Sequence, residues 1–275
     1  MTPLPTLPAA NDPARVAEQY RTDRHLHTRI QTHRLYGVGR ELEDQVDDLL
    51  ALTGTEALLD VGSGPGHFPG RLHAAGHRGR LVGADLSDGM VQTAQGTYPE
   101  VEFVQAGADA LPFEGETFEV LTARHMLYHV PSVPAALAEF RRVLRPGGRF
   151  LAVTNAARYM PELWEVVEAA ARLEPALGPL AGTRGSVAAA FSETNGEAWV
   201  REAFGHAQLS FSDQSLIFSG PQPVLDYLAS HHGWLTLNED EQASGRVALK
   251  TVLEGRFRHG PWMVSKRTAF LVAGG

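Results

Sequence analysis

The stretch Leu58-Leu-Asp-Val-Gly-Ser-Gly-Pro-Gly-His-Phe68 decides the fold of this chain. A short apolar run ends in an acid, and glycines follow at the alternate positions Gly62, Gly64 and Gly66. A helix-compatible segment, Phe68 to Ala75, comes next. The order of apolar strand, glycine turn and helix is typical of a site for nucleotide-like ligands at the carboxyl end of a parallel strand. Because glycines tolerate positive φ and let a ligand approach the backbone, this loop is predicted to bind a ligand.

Two features separate this loop from the dinucleotide-binding pattern. That pattern is G-x-G-x-x-G, in which the third glycine packs the helix on the strand. Counted from Gly62, the position of the third glycine holds His67, so the pattern fails. Asp60 precedes Gly62 by two residues, where a carboxylate would crowd a pyrophosphate but suits a cationic ligand. A nicotinamide cofactor therefore ranks last among the ligands considered.

The segment Asp60-Val-Gly-Ser-Gly-Pro-Gly66 resembles the glycine loop of Rossmann-like (class I) S-adenosylmethionine-dependent methyltransferases of the small-molecule type. The ligand of that family carries a sulfonium and an ammonium group in place of a pyrophosphate. The resemblance covers residues 56–155 by motif and 195–275 by topology only. It implies that S-adenosyl-L-methionine is the co-substrate and that no metal is needed. The loop residues expected to contact the co-substrate are Asp60, Gly62, Ser63, Gly64 and Gly66.

A second acid follows at the spacing expected for a ribose contact. Arg80-Leu-Val-Gly-Ala-Asp85 reads as a strand, and Asp85 lies 23 positions after Gly62. This is close to the roughly 20-residue offset at which a carboxylate meets ribose hydroxyls. The resemblance implies that Asp85 binds the ribose, that Leu86 packs on the adenine and that Met90 is a further cofactor contact. A strand-end acid that merely faces water is the alternative.

Two more expected cofactor contacts come after the next strand. Val101-Glu-Phe-Val-Gln-Ala106 alternates as a strand and leads into the loop Gly107 to Phe113. The resemblance implies that Asp109 accepts a hydrogen bond from the exocyclic amine of adenine and that the backbone of Ala110 meets the ring. An exposed loop aspartate is the alternative for this position. Arg124, near the end of the fourth strand of the family pattern, completes the expected cofactor set.

The methyl acceptor is expected to lie beyond that fourth strand. His125 and His129 follow it directly, where a general base would help if the acceptor is a phenol, an acidic carbon or a protonated amine. Histidine titrates near neutrality, which suits this role. Either residue can instead fill the pocket wall or bond a backbone carbonyl. The segment Ala123-Arg-His-Met126 also lacks the Asp/Asn-Pro-Pro-Tyr/Phe motif of amine-methylating nucleic-acid enzymes, which argues against that subclass.

The order of elements predicts the fold class. Strands and helices alternate from Leu58 to Thr154, which predicts a parallel sheet with right-handed crossovers. We expect an α/β fold: a doubly wound, mostly parallel sheet with helices on both faces and an antiparallel last strand. Strands near Leu209–Phe218 and Ser265–Ala273 should form the closing pair, with two helices between them. Leu177 to Ala190 reads as an irregular Gly/Ala insertion.

The chain is expected to divide into two parts. Residues 1–52 should form a disordered, proline-rich tip (1–13) and an N-terminal helical cap, and residues 53–275 the cofactor-binding domain, with a lid or helical insertion at 157–200. Arg29 and His33 are i, i+4 neighbours on one face of the cap. Their segment resembles a helix that some family members fold over the cofactor, so Arg29 is a candidate to bind the methionine carboxylate. A solvated basic helix face is the alternative.

Composition limits the remaining functions. The 275 residues carry a formal charge of −8 and 43% apolar residues, as in ordinary globular proteins. Negative net charge argues against a broad nucleic-acid footprint. The absence of cysteine excludes disulfides, a cysteine nucleophile and a radical iron–sulfur centre. Neither a signal peptide nor a run of about 18 apolar residues is present, so a cytoplasmic protein without membrane contact is expected. His25 and His27 point to different faces of a helix and cannot chelate a metal together.

Three functions remain in order of preference. The first is a methyltransferase acting on a small-molecule acceptor. The second is an RNA or protein methyltransferase, because six arginines face only two acids between Ala14 and Arg40. The third is a protein that binds S-adenosylmethionine as a sensor or scaffold without catalysis.

Four aromatic residues bear on the nature of the acceptor. They lie in segments expected to roof the sheet, which favours a small, partly apolar acceptor. The alternative is that they form the core of the insertion itself. These residues are Trp164, Phe191, Trp199 and Trp234.

Overall fold

The computed structural model describes residues 11, 12, 16 and 24–274, and this part contains one eight-stranded sheet. In chain order its strands are β1 (Gly37–Val38), β2 (Leu58–Val61), β3 (Leu81–Asp85), β4 (Glu102–Gln105), β5 (Phe118–Arg124), β6 (Leu144–Asn155), β7 (Gln208–Phe218) and β8 (Trp262–Gly274). Across the sheet the order is β1-β7-β8-β6-β5-β2-β3-β4.

The pairings confirm the predicted α/β sheet. The strands β6, β5, β2, β3 and β4 pair in parallel, whereas β8 is antiparallel to both β6 and β7. The short β1 is antiparallel to β7 at the edge. The described helices are α1 (Arg24–Tyr36), α2 (Leu42–Leu50), α3 (His67–Ala74), α4 (Asp88–Thr97), α5 (Val133–Val143), α6 (Pro161–Leu173), α7 (Gly178–Ala190), α8 (Glu193–Phe204), α9 (Pro221–Ala229), α10 (His232–Leu235) and α11 (Glu239–Arg256).

Strand β2 lies between β3 and β5 and is buried along its whole length. Leu58 and Val61 are at most 1% exposed, as expected for a strand covered on both faces. The register pairs Asp60 with Gly83 of β3 and with Thr122 of β5. The carboxyl ends of these three parallel strands therefore meet at one edge of the sheet, where ligands bind in open α/β sheets.

The N-terminal segment is less uniform than predicted. Instead of continuous helix up to residue 52, the described part contains α1, then β1, then α2. Gly39 has a φ of +123°, which turns the chain away from helical geometry beside the sheet edge. Helix α2 buries Val46 and Leu50 in a core that includes Leu58. The predicted disordered tip lies outside the described residues except for Asn11 and Asp12.

The expectation of irregular structure from Leu177 to Ala190 is wrong, because Gly178–Ala190 forms α7. Its Pro179 lies in the first turn, where the missing N–H has no intrahelical partner to lose. The helix buries Leu180, and Gly233 of α10 packs so closely that a Cβ there would lie 2.5 Å from the Pro179 carbonyl oxygen. Tertiary packing thus overrides the weak helix propensity of a glycine-containing segment.

The four aromatic residues singled out in the sequence belong to packing cores. Trp164 and Trp234 lie in a core formed by helices α6, α7 and α9–α11 over β7 and β8. Phe191 is fully buried in the core beneath β5 and β6, and Trp199 stacks on it with ring centroids 6.2 Å apart. The structure therefore matches the alternative of a core role for Trp164 and Trp234, which pack within the helical layer, whereas Phe191 and Trp199 belong to the core of the sheet.

Candidate active site

The glycine loop after β2 holds three glycines in the left-handed region. Gly62, Gly64 and Gly66 have φ of +68°, +55° and +79°. A Cβ on Gly62 would lie 2.5 Å from the Met126 side chain, and one on Gly66 would lie 2.5 Å from Phe103, so both glycines are required by packing. The space beside Gly64 is wider, because a Cβ there meets only a Leu26 methyl carbon at 3.7 Å. Gly64 is therefore the point at which a ligand can approach the loop backbone.

Asp85, at the end of β3, is tied to this loop. Its Oδ2 accepts a hydrogen bond from the Gly64 N–H at 2.8 Å, and its Oδ1 accepts from the Ser87 N–H at 2.9 Å. Burial raises the pKa of Asp85, against the lowering effect of these backbone donors. Since a carboxylate has about four acceptor positions, Asp85 keeps capacity for ligand hydroxyls beside the widest point of the loop.

The other expected cofactor contacts differ in exposure. Leu86 is 58% exposed, and an exposed leucine beside a polar loop offers an apolar surface to a flat ring. Asp109 and Ala110 are also exposed, and an isolated bridge between Gly107 and Ala110 shapes their turn. Met90, by contrast, is 2% exposed at the start of α4.

Three features at the loop fit a nucleoside-type ligand that offers both hydroxyls and an apolar ring. They are the open Gly64, the Asp85 carboxylate and the exposed Leu86. The Ser63 hydroxyl oxygen is buried without a hydrogen-bond partner, but it lies on the side of Gly83 and Phe103, inside the protein.

Asp60 is engaged by protein groups. It is 1% exposed, its Oδ1 accepts a hydrogen bond from the Thr122 hydroxyl at 2.6 Å, and the Arg124 Nε lies 3.6 Å away. Burial raises the pKa of the Asp60 carboxyl, and Arg124 and Thr122 act in the opposite direction. Direct contact between Asp60 and a ligand stays a prediction.

Arg124 connects the loop to helix α2. Its guanidinium donates to the Glu43 carboxylate at 2.9 and 3.2 Å and lies over the Phe68 ring at 4.0 Å from the centroid. Arg71 of α3 makes a bidentate bond to Asp47 of the same helix at 2.8 and 2.7 Å. Acidic residues of α2 thus form ion pairs with Arg124 and Arg71, which flank the glycine loop. The contact of Glu43 with Arg124 was not predicted from the sequence, although the acidic residues of α2 indicated that this helix could pair with arginines.

The two candidate catalytic histidines follow β5 directly. His125 has a φ of +53°, uncommon for a residue with a side chain, and its N–H donates to the Val153 carbonyl at 2.8 Å. Burial lowers the pKa of His125 to about 3, and the charges of Lys266 and Arg124 act in the same direction. His129 ends a 3-10 turn, with its ring 4.6 Å from that of Tyr128. His125 is therefore a neutral imidazole at physiological pH.

A second cluster lies beyond the end of β6. The Tyr159 hydroxyl and His33 Nε2 are 3.1 Å apart, and the His33 ring packs edge-on to Tyr227 at 5.5 Å between centroids. Burial, followed by the neighbouring Tyr227, raises the pKa of Tyr159 well above its usual value, and burial raises the pKa of Tyr227 to about 12. Burial, followed by the charge of Lys266, lowers the pKa of His33 well below its usual value. Phenols and imidazole are thus all neutral near pH 7.

Helix α1 joins the two parts of the site. Leu26 lies against Gly64, and His33 lies in the tyrosine cluster. Seven residues of α-helix span about 10 Å, so this helix covers the distance from the glycine loop to the cluster. Arg29 lies between them and donates to the Ser230 carbonyl oxygen at 2.7 Å.

Sequence reasoning did not find Tyr159, Tyr227 or Lys266. Tyr159 had a positional signal, since it follows the end of a parallel strand. Tyr227 is an ordinary member of an amphipathic helix. Lys266 lies in a strand that alternates buried and exposed residues and occupies a buried position.

Known proteins resemble this chain both in the fold and in the segment that contains the glycine loop. Residues 59–152 match the family model described as Methyltransferase domain. The ubiquinone/menaquinone biosynthesis C-methyltransferase UbiE of Marinomonas sp. (strain MWYL1) is 35% identical over 131 residues, which are 45% of this chain and 52% of that protein. The chain thus spans about half the length of the curated relatives it matches.

Two solved structures share the fold at low sequence identity. The [4+2]-cyclase SpnF has a TM-score of 0.58 at 18% identity, covering 97% of each chain. The phosphoethanolamine N-methyltransferase 2 of Haemonchus contortus, in complex with phosphomonomethylethanolamine and S-adenosylhomocysteine, has a TM-score of 0.57 at 14% identity, covering 98% of this chain and 61% of that one. The resemblance to Rossmann-like, class I, S-adenosylmethionine-dependent methyltransferases is thus confirmed for residues 59–152, which form a methyltransferase domain.

Among the residues that the structure describes, no group of three or more histidine, aspartate or glutamate side chains is arranged to bind a metal. Within the same residues, each helix is too short or too polar to cross a bilayer.

Proposed function

We propose that this protein is an S-adenosylmethionine-dependent methyltransferase that transfers a methyl group to a small-molecule acceptor by in-line displacement. The observation that carries the proposal is the contact of the Asp85 carboxylate with the Gly64 N–H at 2.8 Å. It joins the ends of β2 and β3 at the one loop glycine that has space beside it. A ribose at this point would meet both the carboxylate and the glycine backbone.

The remaining cofactor contacts follow from this anchor. Leu86 would cover one face of the adenine, Asp109 and Ala110 would meet its edge, and Arg29 would bind the methionine carboxylate. The loop residues around Gly64, with Met90 and the Asp60–Arg124 pair beneath them, would support the cofactor. We also propose that residues 1–52 cap the cofactor domain (53–275), that 157–200 form a lid or insertion over it, and that the protein acts in the cytoplasm.

In methyl transfer the protein need not form a covalent bond with the substrate. S-Adenosylmethionine supplies a methyl group on a positively charged sulfur, which is an activated leaving group. The protein must align the acceptor with that group and exclude water, and such alignment supplies about 7–11 kcal/mol in well-oriented systems. His125 and His129 stay the candidate catalytic residues. Because burial lowers the pKa of His125 to about 3, its neutral imidazole is suited to orient an acceptor by hydrogen bonding, and the role of base falls to His129.

A small acceptor is favoured over RNA or protein by the described part of the basic N-terminal segment. Arg40 pairs with Asp48 at 2.5 Å, and Arg29 is directed to the Ser230 carbonyl oxygen rather than to solvent. The excess of positive charge that a polyanion would contact is thereby reduced.

The test is to follow the label from methyl-labelled S-adenosylmethionine. The protein would be incubated with three separate fractions, namely total RNA, a protein extract and a small-molecule extract. We expect label in the small-molecule fraction only, and none with Asp85→Ala. Label confined to RNA or protein would favour the second hypothesis. Binding of S-adenosylhomocysteine without any transfer would favour a sensor.

A further inference from the structure

Lys266 is a largely buried cation. It is 9% exposed, and among the described residues its ammonium group makes no hydrogen bond or salt bridge. Burial lowers the pKa of Lys266, and only the charge of the exposed Glu41 acts in the opposite direction. The chain has only two lysines, and the other, Lys250, is exposed on α11. A largely buried charge that lacks a close partner is costly, so such a residue indicates a ligand that supplies the opposite charge.

The register places Lys266 at the acceptor side of the site. In the pairing of β6 with β8, the last residue of β6, Asn155, faces Thr268. Lys266 therefore lies just beyond the carboxyl end of β6, whose other neighbour, β5, leads directly to His125. Its charge contributes to the low pKa of both His33 and His125, which places it near each of them.

Other polar groups of this region also lack partners. The Thr268 hydroxyl oxygen, on the same face of β8 as Lys266, is buried without a hydrogen bond, and so is His33 Nδ1. Two buried polar atoms near Lys266 thus have no hydrogen-bond partner, whereas nearly all such atoms in protein interiors are paired.

A cavity of 570 Å³ at the edge of the sheet has Lys266 in its lining, with most of its strand residues, Asp213, Ser215, Ser265 and Arg267, on the face of β7 and β8 opposite the Lys266 side chain. Its charged lining residues are Arg158, Lys266, Arg267 and Asp213, and the Asp213 carboxylate is already bound by Arg267 at 2.7 and 2.8 Å. The lining is therefore positive in sum. Its volume lies in the range of small-molecule sites, about 300–1,000 Å³.

We propose that Lys266 binds an anionic oxygen of the methyl acceptor, a carboxylate or a phenolate, on the face of β8 that carries Thr268 and lies toward His33 of the tyrosine cluster. The proposal rests on the proposed function, because it names the acceptor class of the same site. An anion here would pair the buried ammonium and would also offset the positive charge of the sulfonium when both ligands are bound.

The experiment uses the full chain saturated with S-adenosylhomocysteine and coloured probes. The first probe is 4-nitrophenol, whose phenolate absorbs visible light while its neutral form does not. We expect the apparent pKa of the bound probe to fall by about one unit, a tenfold change in its ionisation. The second arm compares 4-nitrobenzoate with the neutral 4-nitrobenzamide, and a preference of about tenfold for the acid is expected if a carboxylate is the natural group.

The matched variants are Lys266→Met and Lys250→Met. Lys266→Met should lose both the pKa shift and the preference for the acid, whereas Lys250→Met should keep them. Lys266→Gln serves as a second neutral variant. Affinity for S-adenosylhomocysteine, measured by calorimetry, reports separately on folding and on the cofactor site.

The outcomes separate this inference from the proposed function. If S-adenosylhomocysteine binds but no probe binds at millimolar concentration, the inference is wrong and the proposed function stands. The inference is also wrong if the probes bind without preference for the anion, or if Lys266→Met keeps that preference. A protein that does not bind S-adenosylhomocysteine at all would instead contradict the proposed function.

Discussion

Among single residues, substitution of Asp85 should have the largest effect on cofactor binding. Its two carboxylate oxygens accept hydrogen bonds from the N–H groups of Gly64 and Ser87. In Asp85→Asn one of these acceptors becomes a donor and the charge is lost. Hydrogen bonds to charged groups contribute about 1.5–3 kcal/mol, so we expect affinity for S-adenosylhomocysteine to fall by at least about tenfold. Isothermal titration calorimetry measures this directly.

Asp88 provides the control for this prediction. It is exposed in the first turn of the next helix, and its carboxylate accepts from the Gln92 side chain at 2.6 Å. Asp88→Asn should leave the affinity within about twofold, because exposed side-chain pairs contribute little. Equal affinity of Asp85→Asn and the parent protein would remove the ribose assignment.

Substitution of Lys266 should increase the stability of the fold while it weakens binding of an anionic acceptor. Because Lys266 is largely buried and its ammonium makes no salt bridge among the described residues, Lys266→Met should raise the free energy of unfolding by about 1–3 kcal/mol near pH 7. Burial lowers the pKa of Lys266, so the charged form carries a cost that is present below its folded-state pKa. That cost disappears as the pH rises toward the usual lysine value, and the advantage of the variant should shrink with it. Denaturant unfolding at several pH values is the measurement.

Lys250→Met on exposed α11 should change the unfolding free energy by no more than about 0.5 kcal/mol. A loss of stability in Lys266→Met would show that the ammonium already has a stabilising partner. The binding role inferred for it would then lose its main support.

Among the elements, helix α1 is expected to cover the cofactor through Leu26. A methyl carbon of Leu26 lies 3.7 Å from the position of a Cβ at Gly64. Truncation in Leu26→Ala would remove apolar cover from the cofactor, and we expect affinity for S-adenosylhomocysteine to fall about three- to tenfold, near 1 kcal/mol. Leu35 on the same helix is 70% exposed, so Leu35→Ala should have no effect. If both variants bind alike, α1 does not cover the cofactor.

Glu56, in the loop before β2, should make the stability of the fold sensitive to acid. Burial acts to raise the pKa of Glu56, but hydrogen bonds from the N–H groups of Thr53 and Thr55 outweigh it and lower the pKa to about 2. A carboxylate with a depressed folded-state pKa stabilises the protein above its usual pKa of 4.5, and this stabilisation is lost as the pH falls toward about 2.

Glu56→Gln should therefore destabilise the protein by about 2 kcal/mol at pH 7, with the difference shrinking below pH 4.5. Glu102→Gln is the control, because its ion pair with Arg80 is about half exposed and contributes about 1 kcal/mol or less. Urea unfolding curves across this pH range test both. A pH-independent difference for Glu56→Gln would mean that its charge is not what stabilises the loop.

The sequence predicted the elements best where local pattern and burial agree. The glycine loop, the strand ending at Asp85 and the closing β-hairpin were all visible because apolar periodicity and glycine turns are local signals. The helix at Gly178–Ala190 was missed because its stability comes from packing on α10. Likewise, no local pattern brings Tyr159, His33 and Lys266 together, because they come from a loop, a helix and a strand that meet only in the folded chain.

For the molecule as a whole, the fold alone does not fix the reaction. SpnF, a [4+2]-cyclase, and an N-methyltransferase both share this architecture with the chain. The function of this chain therefore depends on its site, in which we propose that the glycine loop selects the cofactor and the region of Lys266 selects the acceptor.

Global stability offers a direct test of the cofactor choice, because a ligand that binds only the folded state stabilises it by RT ln(1 + [L]/Kd). S-Adenosylhomocysteine at a hundred times its Kd should add about 2.7 kcal/mol, which raises the Tm by roughly 5–10 °C for a large domain. NAD at the same concentration should give no shift, since His67 occupies the position where the dinucleotide pattern has its third glycine. Differential scanning fluorimetry with Asp85→Asn as the negative control makes this comparison. A larger shift with NAD than with S-adenosylhomocysteine would reverse the assignment, because it would mean that the positive end of helix α3 meets a pyrophosphate and not a sulfonium ligand.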